Sequence, residues 1–241
     1  MFPVNLCIIW FKNVSFSFWL KTNVMAEIRW GIIGCGNVTE VKSGPAFNKV
    51  PQSKLVAVMR RDAAKAADYA HRHGVPKWYK NAEDLINDDE VTAIYIATPP
   101  DSHEVYALAA IKAGKPVYVE KPMALHAASA QVMLEAAQKE DVKLCVAHYR
   151  RQQPYFKKIK ELLDQKAIGD VLWADLRFLQ PHKKEMMGND GNFWRVDPSI
   201  SGGGIFHDLA PHQLDLMLYF FGAPLEAKGM AFNHGNHYKA D

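Results

Sequence analysis

Between Ile28 and Ala147, apolar runs of strand length alternate with stretches long enough for helices, and that alternation leaves few folds open. The apolar runs are Ile28–Ile33, Lys54–Met59, a short Trp78–Tyr79, Ala93–Ala97, Pro116–Val119 and Lys143–Ala147. Helix-like segments lie between them: one reaching Lys49, then Asp62–His73, Ser102–Ala113 and Ala124–Lys139. Short strands linked through helices pair in parallel by right-handed crossovers, because a twisted strand feeding a helix packs back onto its sheet only that way. The pattern predicts an α/β fold with parallel strands joined by such crossovers.

The turn after the first run is Gly34-Cys35-Gly36-Asn37-Val38-Thr39. Gly34 permits a tight turn, and Gly36 lets a pyrophosphate approach backbone N–H groups where a helix opens. Two glycines alone are weak evidence, but these follow a strand, open a helix and begin a βαβ unit, as a dinucleotide site requires. Thr39 stands where a third small residue is usual, at some cost in helix–sheet closeness. After the second run, Arg60, with Arg61 beside it, occupies the place where an acidic residue would hold the ribose 2′-hydroxyl of NAD. An arginine there suits a 2′-phosphate, so NADP is preferred to NAD. The alternative is a solvent-facing Arg60, with Asp62 simply capping the next helix.

Glu120-Lys121-Pro122 follows the fifth strand, at the carboxyl end of the sheet where open α/β folds place ligands. A lysine there can stabilise developing alkoxide charge. Further on, Gly202-Gly203-Gly204 precedes Asp208, His212 and Asp215. At about 100° per residue this spacing puts all three side chains on one helix face, within roughly 60°. A histidine between carboxylates can exchange protons near neutral pH, although a surface His–Asp pair has the same spacing. Pro211 implies that this helix, running to about Phe221, either begins close to Asp208 or is kinked there.

In sum of motifs the chain resembles the glucose–fructose oxidoreductase, inositol dehydrogenase and MocA family. The resemblance is carried by Gly31 to Val38, by Ala97-Thr98-Pro99-Pro100-Asp101-Ser102-His103 and by Gly114 through Pro122. Arg150-Arg151 with Pro154, Trp194-Arg195 and the block from Ser201 to Asp215 complete it. It implies an N-terminal Rossmann domain with a doubly wound parallel sheet, a C-terminal α+β domain with an open mixed sheet, and a homo-oligomer. It further implies Lys121, Asp208 and His212 as catalytic residues, with a cis bond before Pro122. Gly34, Gly36, Asn37, Val38, Arg60, Arg61, Thr98, Pro99, His103, Glu120, Arg150 and Trp194 are the implied cofactor-side residues. Asp215 is read as support for the site or as a helix-surface residue.

Composition adds limits. A net charge of +3 over 241 residues is too small to suggest nucleic acid or a membrane surface. Lys157, Lys158 and Lys160 fit a solvated helix face. Three cysteines make no disulfide framework, which favours the cytoplasm. His207, His234 and His237 do not form a closed ligand set, so no metal is expected. Residues 1–24 are rich in aromatics (Phe2, Trp10, Phe11, Phe16, Phe18, Trp19) and carry only Lys12 and Lys21 as charges. They match neither a membrane span nor a signal peptide and read as a non-native leader before Met25.

The expected domains are 25–148 for the dinucleotide and 149–241 for substrate and oligomerisation. After the histidine helix only Glu226–Phe232 looks like a strand, so the second domain is read as truncated. Three functions follow. The first is an NAD(P)-dependent oxidoreductase passing hydride between nicotinamide and a secondary alcohol of a sugar, inositol or related diol. The second is a glycoside hydrolase using NAD without net redox, and the third an inactive nucleotide-binding fragment.

Overall fold

The computed structural model describes residues 27–179, 193–232 and 238–240. The leader 1–24 lies outside them, as do His234 and His237. The chain forms two compact units. The first holds the described residues up to Thr98 with Val105–Val119 and Met133–Cys145; the second holds Pro99–Glu104, Glu120–Val132 and the described residues from Val146 onward.

Six strands build one sheet: β1 (Ile28–Ile33), β2 (Ser53–Met59), β3 (Lys77–Tyr79), β4 (Ala93–Ile96), β5 (Val117–Val119) and β6 (Leu144–Val146). Their order is β3-β2-β1-β4-β5-β6. The pairings β1–β2, β1–β4, β2–β3 and β4–β5 are all parallel. This is the Rossmann order, with the chain reversing direction across the sheet between β1 and β4. The central strands are apolar on both faces because helices cover both: Ile32, Ile33, Val58, Ile94, Tyr95 and Ile96 are buried. Aromatic rings fill one side, with Trp30 and Phe47 at 4.8 Å and Tyr95 stacked on Tyr118 at 5.3 Å.

The helices of this half are α1 (Asn37–Val41), α2 (Ser43–Phe47), α3 (Ala63–His73), α4 (Ala82–Ile86), α5 (His103–Lys112) and α6 (Ala127–Lys139). The single helix expected up to Lys49 is thus two short ones that break at Lys42. Pro45 explains the break: in a continuous helix its ring would clash with the carbonyl of Val41. Asp62 caps α3 by accepting from the Lys65 N–H at 3.1 Å, and Gly74 ends it in the left-handed conformation.

The close approach expected of the third small residue in the turn has moved to Gly44. Thr39 is buried; its hydroxyl donates to the Gly36 carbonyl at 2.8 Å, and the Tyr69 hydroxyl donates to the Thr39 carbonyl at 2.8 Å. A Cβ on Gly44 would lie 2.3 Å from both that carbonyl oxygen and the Tyr69 hydroxyl. Gly44→Ala is therefore expected to cost about 2–3 kcal/mol, a fall of roughly 5–10 °C in melting temperature. A thermal melt checks this; an unchanged midpoint would mean that α2 has room to move.

The second unit carries α7 (Pro154–Asp164), α8 (Pro198–Ser201) and α9 (Gly204–Phe221), with 3₁₀ turns at Tyr149–Gln152 and Trp194–Val196. Lys157 and Lys158 lie exposed on α7, as a solvated face requires. α9 begins one turn ahead of Asp208 and runs through Pro211, which leaves the His207 carbonyl without its usual helical donor. The expected strand Glu226–Phe232 is not formed, and among the described residues after β6 there is no strand of a mixed sheet. A strand exists only through ladder partners, and no described segment supplies one; Leu225 and Met230 stand almost fully exposed. No helix of the described residues is long and apolar enough to cross a membrane.

Candidate active site

In the first unit the turn after β1 is tied to the end of β2. The N–H groups of Gly34 and Cys35 both donate to the Met59 carbonyl, at 2.9 and 3.1 Å. Gly34 has φ +93°, and a Cβ there would sit 2.7 Å from the Thr98 methyl and 2.9 Å from its backbone nitrogen. Thr98 thus packs directly behind the turn, and only glycine fits. Gly36 caps α1 in an extended conformation, where a Cβ would meet nothing nearer than 3.9 Å. Asn37 and Val38 follow in the first turn, whose N–H groups have no intrahelical acceptor. Glu40 holds the other end of α1 to α3 through Arg72 and His73, each at 2.8 Å. The Arg72 guanidinium pulls the Glu40 carboxyl down to about 2.

Arg60 leaves β2 and folds back, its Nη1 donating to the Cys35 carbonyl at 3.3 Å. Its guanidinium lies against the glycine turn, while Arg61 is exposed and Asp62 caps α3. Asp62 thus caps α3 as the alternative reading has it, while Arg60 turns toward the glycine turn instead of into solvent. Burial pushes the Cys35 thiol up to about 11, so it stays protonated. The glycine turn, its open approach at Gly36 and the adjacent Arg60 fit the pyrophosphate and ribose end of a dinucleotide.

In the second unit Lys121 follows β5, and its peptide bond to Pro122 is cis. His103 is fully buried, with Nδ1 3.0 Å from the Pro122 carbonyl, so it braces this segment from within. Pro99 opens the 3₁₀ turn leading to His103, and a Glu120 carboxylate oxygen accepts from the Lys121 N–H at 3.2 Å. The Lys121 ammonium makes two bonds of 2.7 Å, one to Asp208 Oδ1 and one to the Asp208 carbonyl. The other oxygen, Asp208 Oδ2, accepts from Arg195 Nε at 3.1 Å. Arg195 in turn lies 4.4 Å above the Trp194 ring.

His212 is only 7% exposed, and its Nδ1 is buried without a hydrogen-bond partner. The Tyr149 ring meets it edge-on at 5.4 Å. Burial pushes His212 down to about 4, with Lys121, Arg150 and His148 adding to the effect and Asp208 opposing it. It is therefore a neutral imidazole at ordinary pH. Asp215 is as buried as His212, and Arg151 Nε donates to both its oxygens at 2.8 Å. His148, also depressed chiefly by burial, lies 3.8 Å from Asp215.

The helix face expected from the Asp208–His212–Asp215 spacing is thus turned inward, which removes the surface-pair reading and the surface reading of Asp215. Arg151, Arg195, His148 and Tyr149 were not singled out as individual groups from the sequence. A buried carboxylate demands a cation, but nothing local says that Asp215 would find Arg151. Among the described residues no cluster of histidine, cysteine and carboxylate side chains could hold a metal. A cavity of about 280 Å³ is lined by Trp194, Asp197 and Tyr238 among others, and Lys121, Asp208 and His212 do not line it.

A fold of this order with such a site defines a dinucleotide-binding oxidoreductase class. The model of an oxidoreductase family with an NAD-binding Rossmann fold (GFO/IDH/MocA) matches residues 28–148, and that of the GFO/IDH/MocA C-terminal domain matches residues 156–241. The chain belongs to the GFO/IDH/MocA oxidoreductase family. It is 55% identical over 197 residues to oxidoreductase P35 of Formosa agariphila, covering 82% of this chain and 61% of that protein. It is 29% identical to the myo-inositol 2-dehydrogenase of Thermotoga maritima, covering 83% and 56%. Among solved structures, a levoglucosan dehydrogenase in complex with NADH and levoglucosan is similar with a TM-score of 0.67 and 26% identity, covering 81% of this chain and 54% of that one. The chain spans about three fifths of the length of such relatives.

Proposed function

We propose that this chain carries the cofactor turn and the catalytic groups of an NAD(P)-dependent oxidoreductase acting on a secondary alcohol of a sugar, inositol or related diol. The observation that carries the reading is the Lys121 ammonium, fixed by Asp208 at 2.7 Å, in one unit with a neutral, buried His212. Two of the three ammonium donors serve Asp208, which leaves the third for a substrate oxygen. In alcohol oxidation His212 accepts the hydroxyl proton, and Lys121 favours the alkoxide that forms as it leaves. The nicotinamide, when bound, supplies the hydride acceptor. Gly34, Gly36, Asn37 and Val38 are assigned to the pyrophosphate, with Thr98 packed behind them. Pro99, His103, Glu120, Arg150 and Trp194 remain assigned to the cofactor side, His103 as a brace for the Lys121–Pro122 segment. The domains are proposed at 25–148 and 149–241. The thiols of Cys35 and Cys145, neither in a disulfide, suit a reducing cytoplasm, and a homo-oligomer is the proposed assembly of the whole protein.

Arg60 and Arg61 are assigned to a 2′-phosphate, making NADP the preferred cofactor. Arg60→Gln is then expected to weaken NADPH binding by about 10–100-fold while changing NADH binding by less than about threefold. Fluorescence titration of both cofactors checks this, and equal losses would remove the preference. The overall reading is tested by following reduced-cofactor absorbance while the purified chain meets NAD or NADP and a polyol panel. Absence of cofactor binding by a folded protein would overturn it.

A further inference from the structure

Asp208 and His212 are one helical turn apart, the spacing at which a carboxylate and an imidazole on one face ordinarily meet. They do not pair here. Both carboxylate oxygens of Asp208 are taken, Oδ1 by Lys121 at 2.7 Å and Oδ2 by Arg195 at 3.1 Å. The buried His212 Nδ1 has no hydrogen-bond partner. Arg195 reaches Asp208 from the 3₁₀ turn Trp194–Val196, held in place by its stacking on Trp194.

We infer that Arg195 is a positioning residue: by occupying the second oxygen of Asp208 it commits that carboxylate to Lys121 and withholds it from His212. The roles then divide. Asp208 orients the lysine ammonium, and the imidazole is left without an anionic partner, held by Tyr149 and by burial. This refines the reading proposed above, on which it rests for its catalytic meaning. The geometry has a consequence even without turnover. The charged and titratable groups facing His212 are Lys121 after β5, His148 after β6, Arg150 in the turn Tyr149–Gln152, and Asp208 on α9, with Asp215 and its partner Arg151 one turn beyond. With Arg195 removed, Asp208 Oδ2 is the one anionic acceptor on this face that loses its cation, and it becomes available to His212. Protonated His212 then gains a partner.

The test is an NMR titration of the His212 ring in the 241-residue chain, assigned by comparison with His212→Asn. The unaltered chain should show no His212 titration above pH 5. Arg195→Gln should raise its midpoint by about one pH unit or more, a tenfold gain in proton affinity. Arg195→Lys, which keeps the cation, should restore the low midpoint. The double variant Arg195→Gln/Asp208→Asn should cancel the rise, because the freed carboxylate causes it. An unmoved midpoint in folded Arg195→Gln, or a rise that survives Asp208→Asn, overturns the inference. Arg195→Met, an uncharged side chain of similar reach, replaces the glutamine variant, with the same expected rise, if circular dichroism finds the latter unfolded. Neither cofactor nor substrate is present, so this result and the turnover assay fail independently.

Discussion

His212→Asn is expected to lower kcat/KM for alcohol oxidation by about 10²–10⁴-fold, the range for losing a positioned general base. Asparagine keeps a polar side chain of similar reach in the pocket edged by Tyr149, so the fold should hold and a melting curve should change little. The sign of the pH effect follows from the depressed histidine. Oxidation needs neutral imidazole, and His212 protonates only as pH falls through about 4. In the unaltered protein the rate should therefore stay on its plateau from neutrality down toward that value and be lost below it. In the variant the low plateau should show no such acid limb. A variant that kept both the full rate and the limb would assign the proton transfer to another group, and His148 would be the first to examine.

Lys121→Met is the second large effect, an expected loss of about 10²–10³-fold borne mainly by kcat. The reason is that an ammonium bonded to developing alkoxide charge is worth more in the transition state than to the neutral alcohol. Cofactor affinity should change little, because the glycine turn and Arg60 belong to other elements. The variant should also fold, since Asp208 keeps Arg195 at 3.1 Å and its carboxylate is not left uncompensated. Lys121→Arg is expected not to rescue the rate: a planar guanidinium held by Asp208 in a fork fixes its remaining N–H groups in that plane and cannot aim one at the substrate oxygen as a compact ammonium does. If kcat stayed intact and only KM rose, Lys121 would be a binding residue alone.

These two variants act on groups of unequal legibility. Asp208, His212 and Asp215 share a helix face in any α-helix, so their spacing was readable at once. The partner of each was not. Local rules favoured Asp208 with His212, four residues away, yet the structure joins Asp208 to Lys121, 87 residues away, and to Arg195. Asp215 pairs with Arg151 across 64 residues. Burial then changed the character of the histidine, because an imidazole flanked by Lys121 and Arg150 in a dry setting loses its proton far more readily than one on a surface.

The sheet half was legible for the opposite reason. Apolar periodicity, the glycine turn and the caps of α3 act over a few residues, and they specify strands, helices and the turn after β1 before any tertiary contact is known. The exceptions are instructive. Pro45 split an expected helix, which local sterics could have told. The transfer of close packing from the third turn position to Gly44 required knowing that Tyr69 reaches Thr39 from another helix. The strand expected at Glu226–Phe232 had the residues for a strand but finds no ladder partner among the described strands.

What the sequence alone determined is the order of elements, the doubly wound sheet, the shape of the glycine turn and the candidates on one face of α9. What only the tertiary structure decided is who holds whom: Arg60 on the turn, Lys121 and Arg195 on Asp208, Arg151 on Asp215, and a His212 whose Nδ1 has no hydrogen-bond partner. The division is physical. Backbone propensity and periodicity are local, whereas ion pairing and desolvation depend on groups brought together from distant segments, and those set the chemistry of the site.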